Sequence, residues 1–200
     1  MSAAEAPTRR TQADRTAATR AALADAATEV LIERGWAAVT AIEVCNRAGV
    51  TRGAFHHHYD SLPELMADSL RRLYASFADA KRPPVNDLAS LIDATWAIVG
   101  QSRFKAVLEA WLAMANDPTL RVEIGPVVME FASLVHPAGR KSPILREAAS
   151  RDYYLMARET LLGLALGRAT NGGRALGHEK AVLDALRRGA SEQAQHRDQA

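Results

Sequence analysis

Three consecutive histidines, His56, His57 and His58, are the residues of this 200-residue chain whose types first suggest chemistry. Imidazole rings bind metal ions and transfer protons, and a zinc site on a helix uses two histidines four positions apart. Successive residues of a helix point about 100° apart around its axis, so three adjacent histidines do not converge on one ion. The spacing argues against a metal site. It fits either imidazoles that face phosphates or base edges, or side chains that merely fill the surface of a short helix.

The rest of the sequence offers no catalytic signature. It contains no glycine-rich phosphate loop, no paired metal-ligand motif and no nucleophile motif. We therefore predict a protein that is not an enzyme and that uses neither a metal nor another cofactor. The single cysteine, Cys45, excludes an intramolecular disulfide. Cys45 is interpreted as a small buried residue, with a redox sensor as the alternative.

Composition limits the class of protein further. With 48% hydrophobic and 24% charged residues, the chain has enough apolar side chains to bury a core. Its first residues lack the apolar run of a secretory signal, and no window holds the roughly 18 uninterrupted apolar residues of a membrane-spanning helix. We expect a cytoplasmic protein that has no membrane partner.

Helical periodicity runs through most of the chain. Apolar residues recur at intervals of three and four positions, and no convincing strand alternation is present. Thr40 with Glu43 and Ser61 with Glu64 have the spacing of capping boxes, which begin helices. The pattern predicts an all-α fold of about nine helices.

Residues 40–59 form one unit within this pattern. Two short helices joined by a turn at Gly49 are the arrangement of a helix-turn-helix. Gly53 and Ala54 are small, which lets the start of the second helix approach base edges in a major groove. We expect His56 and His57 to face the DNA. The side chains expected to lock the two helices together are Ile42, Cys45, Ala48, Val50 and Phe55.

Net charge alone does not indicate a nucleic-acid-binding domain. Residues 1–80 hold 9 Lys or Arg against 10 Asp or Glu. Arg9, Arg10, Arg15 and Arg20 nevertheless cluster before the first periodic segment. This basic run is either an arm that touches the phosphate backbone or minor groove, or a solvated tail.

Residues 19–70 resemble the N-terminal DNA-binding domain of the TetR family of bacterial transcriptional regulators. The motifs that carry the resemblance are ERGW after the first helix, the threonine cap at position 40, AGVTRGAFHHHY across the turn and second helix, and SLPEL at the start of the fourth helix. The remainder is similar to the family only in its helical pattern and its length. The resemblance implies a three-helix helix-turn-helix domain followed by a larger helical domain.

The resemblance also implies a division of the chain. Residues 1–17 are expected to form a flexible basic arm, and residues 18–62 the DNA-binding domain. Residues 63–190 are expected to form the ligand-binding and dimerisation domain, and residues 191–200 a mobile tail.

Roles of individual residues follow from the same resemblance. Phe55 and Tyr59 fall where an apolar residue holds the recognition helix to the first and fourth helices. Leu62 stands where the family usually has a lysine that grips a phosphate, and His56 where a tyrosine is common. Seven residues are implied to contact DNA: Thr40, Thr51, Arg52, Gly53, Ala54, His56 and His57.

The second half of the chain is rich in side chains that suit an apolar ligand pocket, although each of them alone is more often part of an ordinary core. Tyr153 and Tyr154 are of most interest, because buried phenols need hydrogen-bond partners and a ligand can supply one. We expect a largely apolar or aromatic effector. The candidate ligand contacts are Trp96, Phe104, Trp111, Met114, Tyr153 and Tyr154.

The expected dimer interface lies on the last two long helices, where the resemblance places it, at about 143–169 and 175–190. The first of these is apolar around much of its circumference, which a four-helix contact between two chains would cover. The residues expected at this interface are Leu155, Leu161, Leu162, Leu164, Ala165 and Leu166.

The sequence thus predicts a homodimeric one-component regulator. It is expected to repress transcription by binding double-stranded operator DNA, and to be released from that DNA by a small molecule. A ligand-independent architectural DNA-binding protein is the alternative. The operator and the effector are left open.

Overall fold

The structure is a computed structural model that describes residues 11–79, 84–135 and 142–197. Within these ranges the secondary structure is helical throughout, with nine α-helices and no strand, so the prediction of an all-α fold is confirmed. None of the described helices is long and apolar enough to cross a membrane. Arg9 and Arg10 of the expected basic arm lie outside the described residues.

The helices follow one another through short connections. Three of these connections contain a 3-10 turn, at Trp36–Ala38, Ser102–Phe104 and Pro143–Leu145. The α-helices are α1 (Gln12–Arg34), α2 (Ala41–Ala48), α3 (Arg52–His58), α4 (Leu62–Ala78), α5 (Leu88–Val99), α6 (Lys105–Asn116), α7 (Pro118–Val135), α8 (Ala148–Thr170) and α9 (Glu179–Arg197).

The first and last helices extend beyond the domain limits expected from the sequence. α1 already begins at Gln12, because the Thr11 hydroxyl accepts the Asp14 N–H at 3.1 Å and the Asp14 carboxylate accepts the Thr11 N–H at 2.8 Å. Arg15 therefore lies in the first turn of a helix. α9 continues past residue 190 to Arg197, since no proline or glycine interrupts it after Gly189.

The first four helices pack around one apolar centre. α1 lies against α2 and α4. α3 contacts both α1 and α2. The α1 residues that face inwards are Leu23, Ala27, Val30 and Leu31, which are almost completely buried. They recur at the helical spacing that the sequence showed. Their burial contributes to the hydrophobic stabilisation of this part of the chain.

The later helices extend the same apolar core. α4 packs against α7, α7 against α6, and α5 against both α8 and α9. α4 is therefore shared: its first turns contact the helix-turn-helix, and its last turns carry Tyr74 and Phe77 into the second half of the molecule. A single rigid helix connects the two parts.

α8 has one buried and one exposed face. Leu161, Leu164 and Ala165 are buried in the protomer's own core, so the expectation that they present apolar surface to a partner is wrong. They share the face of α8 that packs on α5, together with Tyr154 and Ala157. Leu162 is half-buried against the core. The opposite face exposes Leu155, Met156, Gly163 and Leu166.

A largely buried ion pair joins the ends of three helices. The Nε and Nη2 atoms of Arg168, on α8, each lie 2.6 Å from an oxygen of Glu179 at the start of α9. The Arg168 guanidinium also lies 5.1 Å from the centre of the Trp96 ring and donates to the Gly100 carbonyl, at the end of α5. Hydrogen bonds from Arg168 lower the pKa of Glu179 below its ordinary value of 4.5.

We expect Glu179→Gln to lower the free energy of unfolding by about 2–3 kcal/mol at neutral pH, because Arg168 is then largely buried without a counter-charge. The ion pair contributes stability above the unfolded-state pKa of Glu179, and loses it as the pH falls through the lower folded-state pKa. Urea unfolding at neutral and acidic pH should therefore show a difference that shrinks in acid. Asp184→Asn, which alters the more exposed pairs of Asp184 with Lys180 and Arg187, is the control. An equal effect of both substitutions would contradict the assignment.

Candidate nucleic-acid interface

The turn between α2 and α3 has the geometry that its glycine predicts. Gly49 adopts φ 68° and ψ 30°, the left-handed conformation that glycine enters without steric cost. The Gly49 N–H donates to the Asn46 carbonyl at 3.3 Å, and the Val50 N–H donates to the Cys45 carbonyl at 3.0 Å. These bonds end α2 and turn the chain directly into α3.

The hydroxyls of Thr40 and Ser61 cap their helices as predicted. The carboxylates of Glu43 and Glu64 do not bond back to the N–H of the capping residue, so the complete capping boxes are not formed. Thr40 accepts the Glu43 N–H at 3.2 Å, and Ser61 accepts the Glu64 N–H at 3.2 Å. The Glu43 carboxylate pairs with Arg34 of α1 at 2.9 Å, since a cation attracts it more strongly than a backbone N–H does. The Glu64 carboxylate accepts the N–H of the residue before the cap at 2.8 Å.

Of the residues predicted to hold α2 and α3 together, all are buried or half-buried except Ile42. Cys45 and Phe55 are buried, and the Cys45 thiol lies 3.8 Å from the carbonyl of residue 51. Ile42 is 55% exposed, so its predicted role is wrong, and Val44 occupies the inner position. The buried face of α2 runs through positions 41, 44, 45 and 48, which leaves position 42 outside. Burial raises the pKa of the Cys45 thiol, which agrees with a packing role.

One carboxylate fixes α3 to its neighbours. The Tyr59 hydroxyl, at the end of α3, donates to Asp68 Oδ2 of α4 at 2.6 Å and lies 3.2 Å from the Arg20 carbonyl. Arg20 Nε donates to the same Asp68 oxygen at 3.0 Å, and Arg20 Nη1 donates to the His58 carbonyl at 3.2 Å. The Arg20 guanidinium also lies 4.4 Å from the centre of the Tyr59 ring. The residue predicted to anchor the recognition helix thus does so through hydrogen bonds as well as burial.

The pKa values in this cluster follow from burial and these bonds. Burial raises the pKa of Tyr59, and the hydrogen bond to Asp68 raises it further. Burial alone would raise the pKa of Asp68, but the hydrogen bonds from Tyr59 and Arg20 lower it below its ordinary value. Asp68 is therefore ionised and Tyr59 protonated at neutral pH, which is the pairing that the geometry requires.

The opposite surface of α3 is open to solvent. Arg52, Gly53, His56 and His57 are exposed, whereas His58 is half-buried. Burial lowers the pKa of His58, and the neighbouring His57 and Arg20 lower it further. No group of three or more potential metal ligands occurs in the described part of the chain. The exposed face is polar and basic, as an interface with DNA must be.

The helix-turn-helix geometry agrees with a comparison with known families. The family model described as bacterial regulatory proteins of the tetR family matches residues 23–67. This range contains α2, α3 and the residues that fix them. Residues 23–67 are therefore identified as a DNA-binding domain of the TetR family of transcriptional regulators.

Individual relatives agree with this assignment. The HTH-type transcriptional regulator CymR of Pseudomonas putida is 34% identical over 122 residues, which are 58% of this chain and 60% of that protein. The match therefore spans less than two thirds of the relative's length. A transcriptional regulator from Rhodococcus sp. Rha1 superposes with a TM-score of 0.62 at 21% identity, covering 87% of this chain and 96% of that one. The multidrug binding protein EbrR gives a TM-score of 0.59 at 24% identity, covering 84% and 93%. These two structures show that the fold is shared.

Leu62, at the position where the resemblance to the TetR family leads one to expect a lysine, is part of an apolar junction. Leu62 is half-buried and lines a cavity of about 150 Å³ between the DNA-binding domain and the start of α7. An aliphatic side chain here cannot grip a phosphate. The other lining residues are Trp36, Val39, Pro63, Met66, Asp117 and Leu120.

The predicted ligand contacts lie on three neighbouring helices and a 3-10 turn. Phe104 and Trp111 meet edge to face at 5.9 Å, and Met114 lies against Gly125 of α7. Trp96 lies on α5, and Tyr153 and Tyr154 lie on α8, which contacts both α6 and the 3-10 turn that contains Phe104. That these six residues line one ligand pocket stays a prediction.

The two tyrosines of α8 have hydrogen-bond partners within the protein. The Tyr154 hydroxyl lies 2.9 Å from the Thr95 hydroxyl, and the Tyr153 hydroxyl donates to the Leu186 carbonyl at 2.9 Å. The tyrosine that the sequence analysis missed is Tyr74, which stacks on Phe131 with ring centres 4.0 Å apart. The i, i+3 spacing of Tyr74 and Phe77 in the last turns of α4 was the available signal.

Tyr59→Phe removes only the hydroxyl that donates to Asp68. We expect a loss of about 1 kcal/mol in the free energy of unfolding and weaker DNA binding, although Tyr59 is 1% exposed and cannot touch DNA. Binding is measured by titration of a DNA sequence selected from random double-stranded DNA. Tyr153→Phe is the matched control, because it removes a hydrogen-bonded hydroxyl far from α3 and should leave DNA affinity unchanged. Unchanged affinity in both variants would show that the Tyr59 hydroxyl only stabilises the fold.

Proposed function

We propose that this TetR-family regulator binds operator DNA as a homodimer, represses transcription there, and is released by a small molecule. The observation that carries the proposal is the two-sided character of α3. Its inner side is fixed by Phe55 and Tyr59, and its outer side presents Arg52, His56 and His57 to solvent. A rigid short helix with an exposed polar side is what reading a major groove requires.

The proposed DNA contacts have distinct roles. Arg52 lies in the first turn of α3, where a guanidinium can donate two hydrogen bonds to a guanine or bind a phosphate. Thr40 and Thr51 use an oxygen lone pair for the cap, at 3.2 and 3.1 Å, and retain an O–H to donate to a phosphate. Gly53 and Ala54 keep the helix start narrow. His56 and His57 complete the proposed contact surface.

Homodimer formation is proposed through the exposed face of α8 and the adjoining surface of α9. Leu155, Met156 and Leu166 are large apolar residues that a single chain leaves exposed. A groove of about 650 Å³ beside them is lined by residues of both helices, including Gly163 and Val182. A second copy related by a two-fold axis would cover this surface and would place two recognition helices on one operator.

Ligand release is supported by the way the second half of the molecule holds the DNA-binding domain. On α6, the Glu109 carboxylate accepts the Trp36 N–H at 3.0 Å, and the Lys105 ammonium donates to the Ile32 carbonyl at 3.3 Å. Trp111 lies two residues after Glu109 on α6 and packs edge to face on Phe104. A ligand that shifts α6 or α4 would therefore move the end of α1 and the residues that fix α3. The structural relative EbrR was solved with imidazole, so a protein of this fold holds a small molecule.

The release proposal is tested by screening small molecules against the protein and its selected operator. A regulator of the proposed type should yield a compound that both raises the thermal stability and releases the DNA. Compounds that stabilise the protein without affecting DNA binding would favour the architectural alternative.

We expect Arg52→Ala to weaken operator binding by about 1–3 kcal/mol while the fold survives, because Arg52 is exposed and contributes to no core. Affinity is measured by titration at fixed salt. Arg72→Ala is the control, because Arg72 is also exposed but lies on α4, where it pairs with Asp25 of α1. Loss of affinity in the Arg72 variant alone would contradict the proposed orientation on DNA.

Leu166→Glu tests the proposed dimer surface. Leu166 is 49% exposed in one chain, so a charge there should leave the protomer folded but cost too much to bury in a dimer. Sedimentation velocity at micromolar concentration should show a folded monomer with much weaker operator binding. Leu112→Glu, at an exposed apolar position on α6, should remain dimeric. Dimers of both variants would place the interface elsewhere.

A further inference from the structure

One large apolar side chain near the recognition helix lies in solvent. Ile42, on α2, is 55% exposed and does not belong to the apolar core. Within the described residues 11–79, it is the only large apolar side chain that is exposed. Single apolar residues are common on protein surfaces, so exposure alone assigns Ile42 no role. Its meaning depends on where this side chain lies relative to α3.

The contacts of the other α2 side chains fix the direction of Ile42. Glu43 and Arg47 form ion pairs with side chains of α1, at 2.9 and 2.7 Å. On another side of α2, the Cys45 thiol lies 3.8 Å from the carbonyl of Thr51, the residue that caps α3. Successive residues of a helix are about 100° apart, so Ile42 lies about 60° from Cys45 and about 140° from Arg47 around the axis. Ile42 therefore points away from the ion pairs with α1 and lies on the side of α2 next to the start of α3.

The start of α3 is the part of the protein that is proposed to enter the major groove. In a helix-turn-helix the second helix lies in that groove, while the first helix crosses the DNA backbone. Thr40, which caps α2, is proposed to donate to a phosphate. Ile42 follows two residues later, in the first turn of α2. Its side chain is therefore placed between the phosphate contact and the base edges beside α3.

The chemistry of isoleucine limits what Ile42 can recognise there. Its side chain has no hydrogen-bond donor or acceptor, so it bonds neither to a phosphate nor to the polar atoms of a base. The apolar group that the major groove presents is the C5-methyl of thymine. Contact between the two removes apolar surface of both from water, which is favourable. The other three bases offer no such group.

The proposed dimer leaves this position free for DNA. Its surface is formed by α8 and α9, so a second copy bound there does not cover α2. Asn46, one turn further along the same side of α2, is also exposed, and its side-chain amide has no partner within the described residues. Asn46 is further from the N-terminus of α2 and from the proposed phosphate contact.

We propose that Ile42 is a specificity-determining residue that packs on the methyl group of one thymine in the major groove, beside the start of α3. Each half of the operator then contains a thymine that is read by α2 and not by the recognition helix. This assignment rests on the proposed function, because it requires α3 to lie in the groove.

Replacement of thymine by uracil tests the contact, since uracil lacks only the methyl group and keeps the base pair. In an operator selected from random double-stranded DNA, each thymine of one half-site is replaced in turn, and affinity is measured by titration at fixed salt. We expect one position at which uracil weakens binding about fourfold, the effect of burying one methyl-sized group. In Ile42→Ala, uracil at that position should have little further effect, because its apolar partner is gone.

Matched variants separate this contact from a general effect on α2. Ile42→Val keeps a branched apolar side chain and should keep the uracil effect. Asn46→Ala removes an exposed side chain from the same helix and should also keep it. The salt dependence of binding should be the same in Ile42→Ala as in the unchanged chain, because no phosphate contact is lost.

The outcomes distinguish this assignment from the proposed function. A selected half-site without thymine, or no position whose uracil effect disappears in Ile42→Ala, would overturn the role of Ile42. Disappearance of the effect in Asn46→Ala as well would also overturn it, because the effect would then belong to α2 as a whole. If Arg52→Ala weakens binding while Ile42 shows no coupling to any thymine, the proposed function stands without this contact. If neither Arg52→Ala nor Ile42→Ala changes affinity, both fail.

Discussion

The position of the recognition helix depends on the carboxylate of Asp68. α3 has seven residues and buries only Phe55, so it has neither the length nor the apolar area to be stable by itself. Asp68 accepts hydrogen bonds from both Tyr59 and Arg20, and Arg20 also binds the last carbonyl of α3. One ionised group therefore sets the relative positions of α1, α3 and α4. Together with the burial of Phe55, this part-buried contact orients the side chains that α3 presents to solvent.

α4 carries Asp68 and also the aromatic residues Tyr74 and Phe77, which pack in the second half of the molecule. Asp68 and Tyr74 are six residues apart on α4, a distance of about 9 Å along the helix axis. Both residues lie on one continuous helix, with no flexible linker between them. The α6 bonds to Trp36 and Ile32 provide a second connection to the same domain. Within the described residues, two physical connections therefore join the second half of the molecule to the helix-turn-helix.

Local signals were sufficient to predict the caps, the turn and the exposed side of α3 from the sequence. The hydroxyls of Thr40, Thr51 and Ser61 and the glycine at position 49 act within three residues of themselves, so their roles are readable locally. The side-chain partners that lie far apart in the sequence could not be predicted from such local signals. Glu43 pairs with Arg34 on another helix, and the tyrosine hydroxyls of α8 bond to groups far along the chain, which no periodicity specifies. The apolar circumference of α8 likewise could not be divided into inner and outer faces before its neighbours were known.

Leu62 cannot supply the electrostatic attraction to DNA that a lysine at the same position would supply. The family's usual lysine at this position adds a phosphate contact, and each such contact releases a condensed counterion and steepens the dependence of affinity on ionic strength. Here the position is occupied by a leucine that lines the same cavity as Trp36 and the start of α7 and packs on the apolar core. This position therefore offers no cation to a phosphate. The chain should consequently hold random DNA less tightly than a lysine-bearing relative does, and spend less of its time on sites that are not its operator.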